Sequence, residues 1–197
     1  MSDFWLYFNI GLKHLFNFRA YQDVLFLIAL TVPYEFNAWR RLLILVSLFT
    51  AGHILALLLA VFNILLVKVA IVNFLIPTII FIVAFYNILN TGKASKKAAT
   101  TPIAVVTTIF GIIHGLGYAS YFNSLVPKKA TDKLLSLFEA ALGFQISQFL
   151  LIIIALLLAY VVQTLFKFTK SDWILIVSAF TIGIIIPIVI RTEIWWK

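Results

Sequence analysis

The stretch LLILVSLFTAGHILALLLAVFNILL, residues 42–66, decides the fold. It carries no Asp, Glu, Lys or Arg, and as a helix rising about 1.5 Å per residue it would be about 37 Å long. Roughly 20 apolar residues already cross the roughly 30 Å of bilayer hydrocarbon. In lipid only helices and closed barrels satisfy their own backbone groups, and barrel strands alternate apolar with polar residues. This run is continuous, so the helix is the expected solution.

Working outward, the same pattern recurs. Apolar runs are expected to cross at residues 24–34, 69–89, 103–126, 134–166 and 173–190, with 42–66 and 69–89 forming a tight hairpin around Asn63 and Lys68. Across all 197 residues 63% are hydrophobic and 11% charged, with a mean hydropathy of +1.11. Soluble domains carry about a quarter charged residues, so this chain cannot build a polar exterior and lipid must solvate much of it. The aromatic segment from Phe4 to Phe18, interrupted by Lys13 and His14, is expected to form an interfacial or half-buried helix leading into the first span. A cleaved signal peptide is the competing reading, but no basic region precedes Phe4 and no small-residue cleavage pattern follows. The expected fold is therefore all-α, a polytopic membrane bundle of about six transmembrane helices plus the N-terminal interfacial helix, in one integral membrane domain, 1–197.

The net charge of +8 sits in the gaps between these runs, which points to membrane-surface anchors and not to nucleic acid. Arg40, Arg41, Lys93, Lys96, Lys97, Lys167 and Lys170 share one face; Lys68, Lys128, Lys129, Lys133, Arg191 and Lys197 share the other. The first group is the denser near span ends and is expected on the cytoplasmic side, with the N-terminus outside. Trp39, Trp173, Trp195 and Trp196 fall near predicted ends, where indoles favour headgroups. The bilayer is the expected partner, with a membrane-protein partner or a second copy left open.

Polar groups inside apolar runs cost free energy unless they have a partner or a use. His53 and His114 lie near the middle of their runs, His14 in the entry segment and Asp23 at the first run. Asn73 lies early in the third run, and Gln145 and Gln148 within the fifth. With no cysteine in the chain, thiolate sites, disulfides and cysteine nucleophiles are excluded. Imidazoles with a carboxylate suit nickel, cobalt, copper or zinc. Any one of these histidines alone is better accounted for by an interhelical hydrogen bond, which contributes about 0.6 kcal/mol in membranes. Gly111, Gly115 and Gly117 surround His114 and allow close helix approach, for plain packing or to narrow a passage. Catalysis is not expected: no Gly-x-Ser-x-Gly element is present, and Ser120 stands six residues beyond His114 on another part of the same helix.

Four blocks together resemble the HupE/UreJ family of hydrogenase/urease accessory membrane proteins: Gly11-x-x-His14 with Ala20-Tyr21-Gln22-Asp23-Val24-Leu25-Phe26, Phe49-Thr50-Ala51-Gly52-His53, Phe110-Gly111-Ile112-Ile113-His114-Gly115-Leu116-Gly117, and Gly143-Phe144-Gln145-Ile146-Ser147-Gln148. The resemblance implies a nickel or cobalt permease in a bacterial inner membrane. It implies His14, Asp23, His53 and His114 as metal ligands, Gln22, Asn73, Gln145 and Gln148 as supporting polar groups, and nickel or cobalt as substrate with no resident cofactor. Where the family has Tyr-Asp-His-x-Leu-Phe, this chain has Tyr21-Gln22-Asp23-Val24-Leu25-Phe26; family glutamates are replaced by Asn73 and Gln145. Asp23 is the one carboxylate among the matched positions. The alternative is a relative that no longer transports and serves as a structural or accessory subunit of a membrane complex.

Overall fold

Seven helices account for most of the computed structural model, which describes the chain except residues 1, 18–19, 66, 93–99, 126–129 and 193–197. They are α1 (Ser2–His14), α2 (Tyr21–Thr31), α3 (Trp39–Val61), α4 (Val69–Asn90), α5 (Thr100–Leu125), α6 (Ala130–Leu165) and α7 (Lys170–Ile190), with a 3-10 turn at Phe36–Ala38. No strand occurs among the described residues. The lysines 93, 96, 97, 128, 129 and 197, and Trp195 and Trp196, lie outside them.

Local chemistry sets the helix ends. α3 stops at Val61, short of the expected 66, because Asn63 takes the left-handed conformation (φ 57°). The Ile64 N–H then donates to the Leu59 carbonyl at 2.8 Å, the wrap-around bond of a helix terminus closed by Asn. α7 begins with a reciprocal cap: Thr169 Oγ1 accepts from the Asp172 N–H at 3.1 Å, and Asp172 Oδ2 accepts from the Thr169 N–H at 2.9 Å.

Five helices, α3 to α7, include spans long and apolar enough to cross a membrane. Their outward faces expose large apolar side chains such as Ile44, Leu55, Ile82, Leu157 and Phe180, which only lipid solvates cheaply. The protein is an all-α integral membrane bundle. Among the described residues the long apolar helices number five and not six, because the run expected at 24–34 forms the 11-residue α2. At about 1.5 Å per residue that helix covers only about 17 Å.

The missing crossing is divided between two short helices. α3 and α5 run parallel: Gly111 lies on Phe49 and Gly115 on His53, so their numbers rise together. A methyl added to Gly52 would come within 2.6 Å of the Thr108 carbonyl, so the two backbones touch. α1 starts at the C-terminal end of α5, where the Tyr7 hydroxyl donates to the Leu125 carbonyl, and runs inward to His14. α2 continues from Asp23 towards the far end of α4, where the Asn87 side-chain amide donates to the Ala29 carbonyl at 2.7 Å. Glu35 then pairs with Lys170 at that opposite end. The chain thus traverses the bundle once with a break at residues 15–20.

α1 packs chiefly on α6, burying Tyr7 while Trp5 and Leu6 stay exposed, a half-buried helix. A methyl on Gly11 would overlap the Ala140 carbonyl, and one on Gly143 the Phe8 carbonyl. α6 has 36 residues, about 54 Å of helix, longer than the hydrocarbon it crosses.

Candidate metal site

The break in the first crossing creates the site. His14 is the last residue of α1 and Asp23 lies in the first turn of α2. Unpaired carbonyls gather at a helix C-terminus and unpaired N–H groups at an N-terminus, so the break favours a cation beside His14 and a carboxylate at Asp23. Discontinuous helices meeting inside a membrane commonly frame ions in this way.

His14 Nε2 hydrogen-bonds Asp23 Oδ2 at 3.1 Å. From α5, His114 Nδ1 approaches Asp23 Oδ1 to 2.8 Å. Beyond that contact, Asp23 Oδ1 and both His114 ring nitrogens are buried without a hydrogen-bond partner. One buried carboxylate, 1% exposed, therefore receives an imidazole on each oxygen. The ligand atoms of His14, Asp23 and His114 all lie within 4.8 Å of one another. Metal bonds of about 2.1 Å to N and O place neighbouring ligands about 3 Å apart, so a contraction of at most about 2 Å, chiefly between the two imidazoles, would close the three on an ion.

His53 completes the cluster. Its ring stacks on His114 with centroids 5.1 Å apart, and its buried Nδ1 has no hydrogen-bond partner. The close contact of α3 with α5 at Gly115 brings these two rings together. The pair expected at an entrance, His14 with Asp23, and the pair expected at mid-depth, His53 with His114, form one group. Sequence reasoning missed Tyr118, whose ring meets His14 edge-on at 4.5 Å, and Phe144, 4.9 Å from His53. Tyr118 lies one helical turn after His114, a spacing that puts both on one face.

The remaining polar positions are placed elsewhere. Gln22 and Asn73 line an open vestibule of about 590 Å³ that reaches His14, Asp23 and His114 between α1, α2, α4 and α5. Pro77 has no N–H to give the Asn73 carbonyl, which adds an acceptor there. Gln148 is fully buried and its Oε1 accepts from Thr50 Oγ1 at 3.1 Å, while Gln145 is half-buried with an unpartnered amide nitrogen. Gly111 and Gly115 seat α5 on α3, and Gly117 faces Val72 of α4. Ser124 donates to its own helix at the Tyr121 carbonyl and takes no part in the site.

No curated protein and no solved structure matches the chain. The family model described as HupE / UreJ protein matches residues 1–192, nearly the whole sequence and every residue of the cluster, and so the chain belongs to the HupE/UreJ family.

Proposed function

We propose that the protein is a permease for a divalent transition-metal ion of the nickel or cobalt class, taken up from the vestibule onto His14, Asp23 and His114 with His53 beside them. The observation that carries this reading is the convergence of two imidazoles, from α1 and α5, on the two oxygens of one buried carboxylate. A dication leaving water loses a large solvation energy that a carboxylate offsets far better than amides do. Nitrogen and oxygen donors without thiolate suit nickel and cobalt.

Proteoliposomes holding the purified chain are expected to accumulate radioactive cobalt or nickel. The His14→Ala/His114→Ala variant is expected to fall to the level of empty vesicles. Equal uptake by both would overturn the reading. The single carboxylate favours a second reading, a membrane accessory subunit that binds metal without moving it. That reading predicts stoichiometric metal on the purified chain, no uptake, and a membrane partner that copurifies in mild detergent.

A further inference from the structure

The cluster opens onto the vestibule at one end of the bundle. Each of three ligands has a phenylalanine one turn further from the vestibule. Phe49 precedes His53 by four residues on α3, and Phe110 precedes His114 by four on α5. Phe26 follows Asp23 by three on α2, which runs the opposite way. Their rings form a layer beneath the ligands. Phe26 and Phe110 stack with centroids 3.7 Å apart and planes 9° apart, and Phe49 lies 5.8 Å and 5.4 Å from them. All three are fully buried. Beyond them the core is dry: Leu30, Leu42, Leu45, Val46, Ile152 and Leu156 are all at most 3% exposed. The Thr50–Gln148 hydrogen bond lies beside the layer, next to Phe49 on α3 and one turn from Phe144 on α6.

We propose that Phe26, Phe49 and Phe110 form the seal that closes the site towards the end opposite the vestibule, and that a shift of α2 opens it. Phe26 and Asp23 are three residues apart on one face of an 11-residue helix, so α2 cannot move one without the other. Parting Phe26 from Phe110 therefore carries the ion's carboxylate away from His114 in the same step. Packed interfaces switch between discrete arrangements and do not deform smoothly, which gives the site two states, facing the vestibule or facing the opposite end of the bundle. The inference rests on the metal reading for its purpose, but the seal itself is a matter of packing.

The chain has no cysteine, so one introduced thiol reports alone. Val46→Cys places it in the dry core just beyond Phe49, at nearly constant volume. In nanodiscs, a small cationic methanethiosulfonate reagent is expected to modify it slowly. Adding Phe26→Ala is expected to accelerate modification at least tenfold, and Phe26→Leu, which keeps bulk but loses the ring stack, by a smaller factor. Cobalt added to Phe26→Ala is expected to slow the reaction again, since the reagent enters past the ligand cluster. Should Phe26→Ala fail to fold, Phe26→Leu decides the question. No acceleration in a folded variant overturns the seal. Cobalt binding measured on the same samples separates the two ideas. Acceleration without cobalt binding keeps the seal and refutes the metal assignment; cobalt binding with unchanged labelling does the reverse.

Discussion

Asp23 is a buried carboxylate in an apolar bundle, and such a group is costly unless something nearby compensates it. Two imidazoles do so here, yet Asp23 Oδ1, His53 Nδ1 and both His114 ring nitrogens have no hydrogen-bond partner beyond the His114–Asp23 contact. A group selected for stability alone would be better satisfied. Asp23→Asn is therefore expected to leave the thermal midpoint of the metal-free protein unchanged or raised, because the buried charge is gone while a hydrogen-bonding side chain remains. The same variant is expected to lose the midpoint rise produced by cobalt. At a hundredfold excess over its Kd, a ligand bound only by the folded state contributes about 2.7 kcal/mol, so the difference is easily read in a melting experiment. A large loss of metal-free stability, with the cobalt effect intact, would mark Asp23 as structural. His53→Ala is expected to weaken cobalt binding less than His114→Ala, since only His114 touches the carboxylate; calorimetric titration of the two variants checks the order.

At the level of the helices, the glycine seams set the geometry. Gly11 and Gly143 let α1 lie directly on α6, and α1 delivers His14. Gly143→Leu is expected to push α1 outward and to weaken cobalt binding by at least tenfold, while circular dichroism shows the helix content retained. Unchanged affinity would mean that His14 is not a ligand. The long helices were legible in the sequence because continuous apolar runs of 20 or more residues admit one solution in lipid. The broken crossing was less so. Residues 24–34 have the composition of a span but not its length, and α1 hides its packing in two glycines that look ordinary one at a time. Likewise the three histidines and Asp23 could be singled out as polar groups in apolar surroundings. Their meeting at one point depends on α3 running parallel to α5, and no local pattern encodes that. The phenylalanine layer was illegible for a related reason: in a chain with 19 phenylalanines, only the fold distinguishes the three beneath the ligands.

The molecule as a whole is polarised. Polar residues of α1, α2 and α4 line the vestibule end, while the other end is sealed by rings and aliphatic side chains. Because α1 starts beside Leu125 and α2 leads to Glu35 beside Lys170, the N-terminus and the α5 C-terminus belong on one side of the membrane. Single cysteines at Asn123 and Lys170 are accordingly expected to react with an impermeant thiol reagent from opposite sides, with an N-terminal tag on the side of Asn123; a tag on the side of Lys170 would contradict the divided crossing. The account depends most on the claim that His14, Asp23 and His114 close on one metal ion. The electronic absorption spectrum of the purified chain titrated with cobalt(II) tests it most directly. A ligand-field band saturating at one ion per chain, with nitrogen and oxygen ligation and lost in Asp23→Asn, is the predicted result. A spectrum indistinguishable from aqueous cobalt(II), or one that Asp23→Asn leaves unchanged, would contradict it.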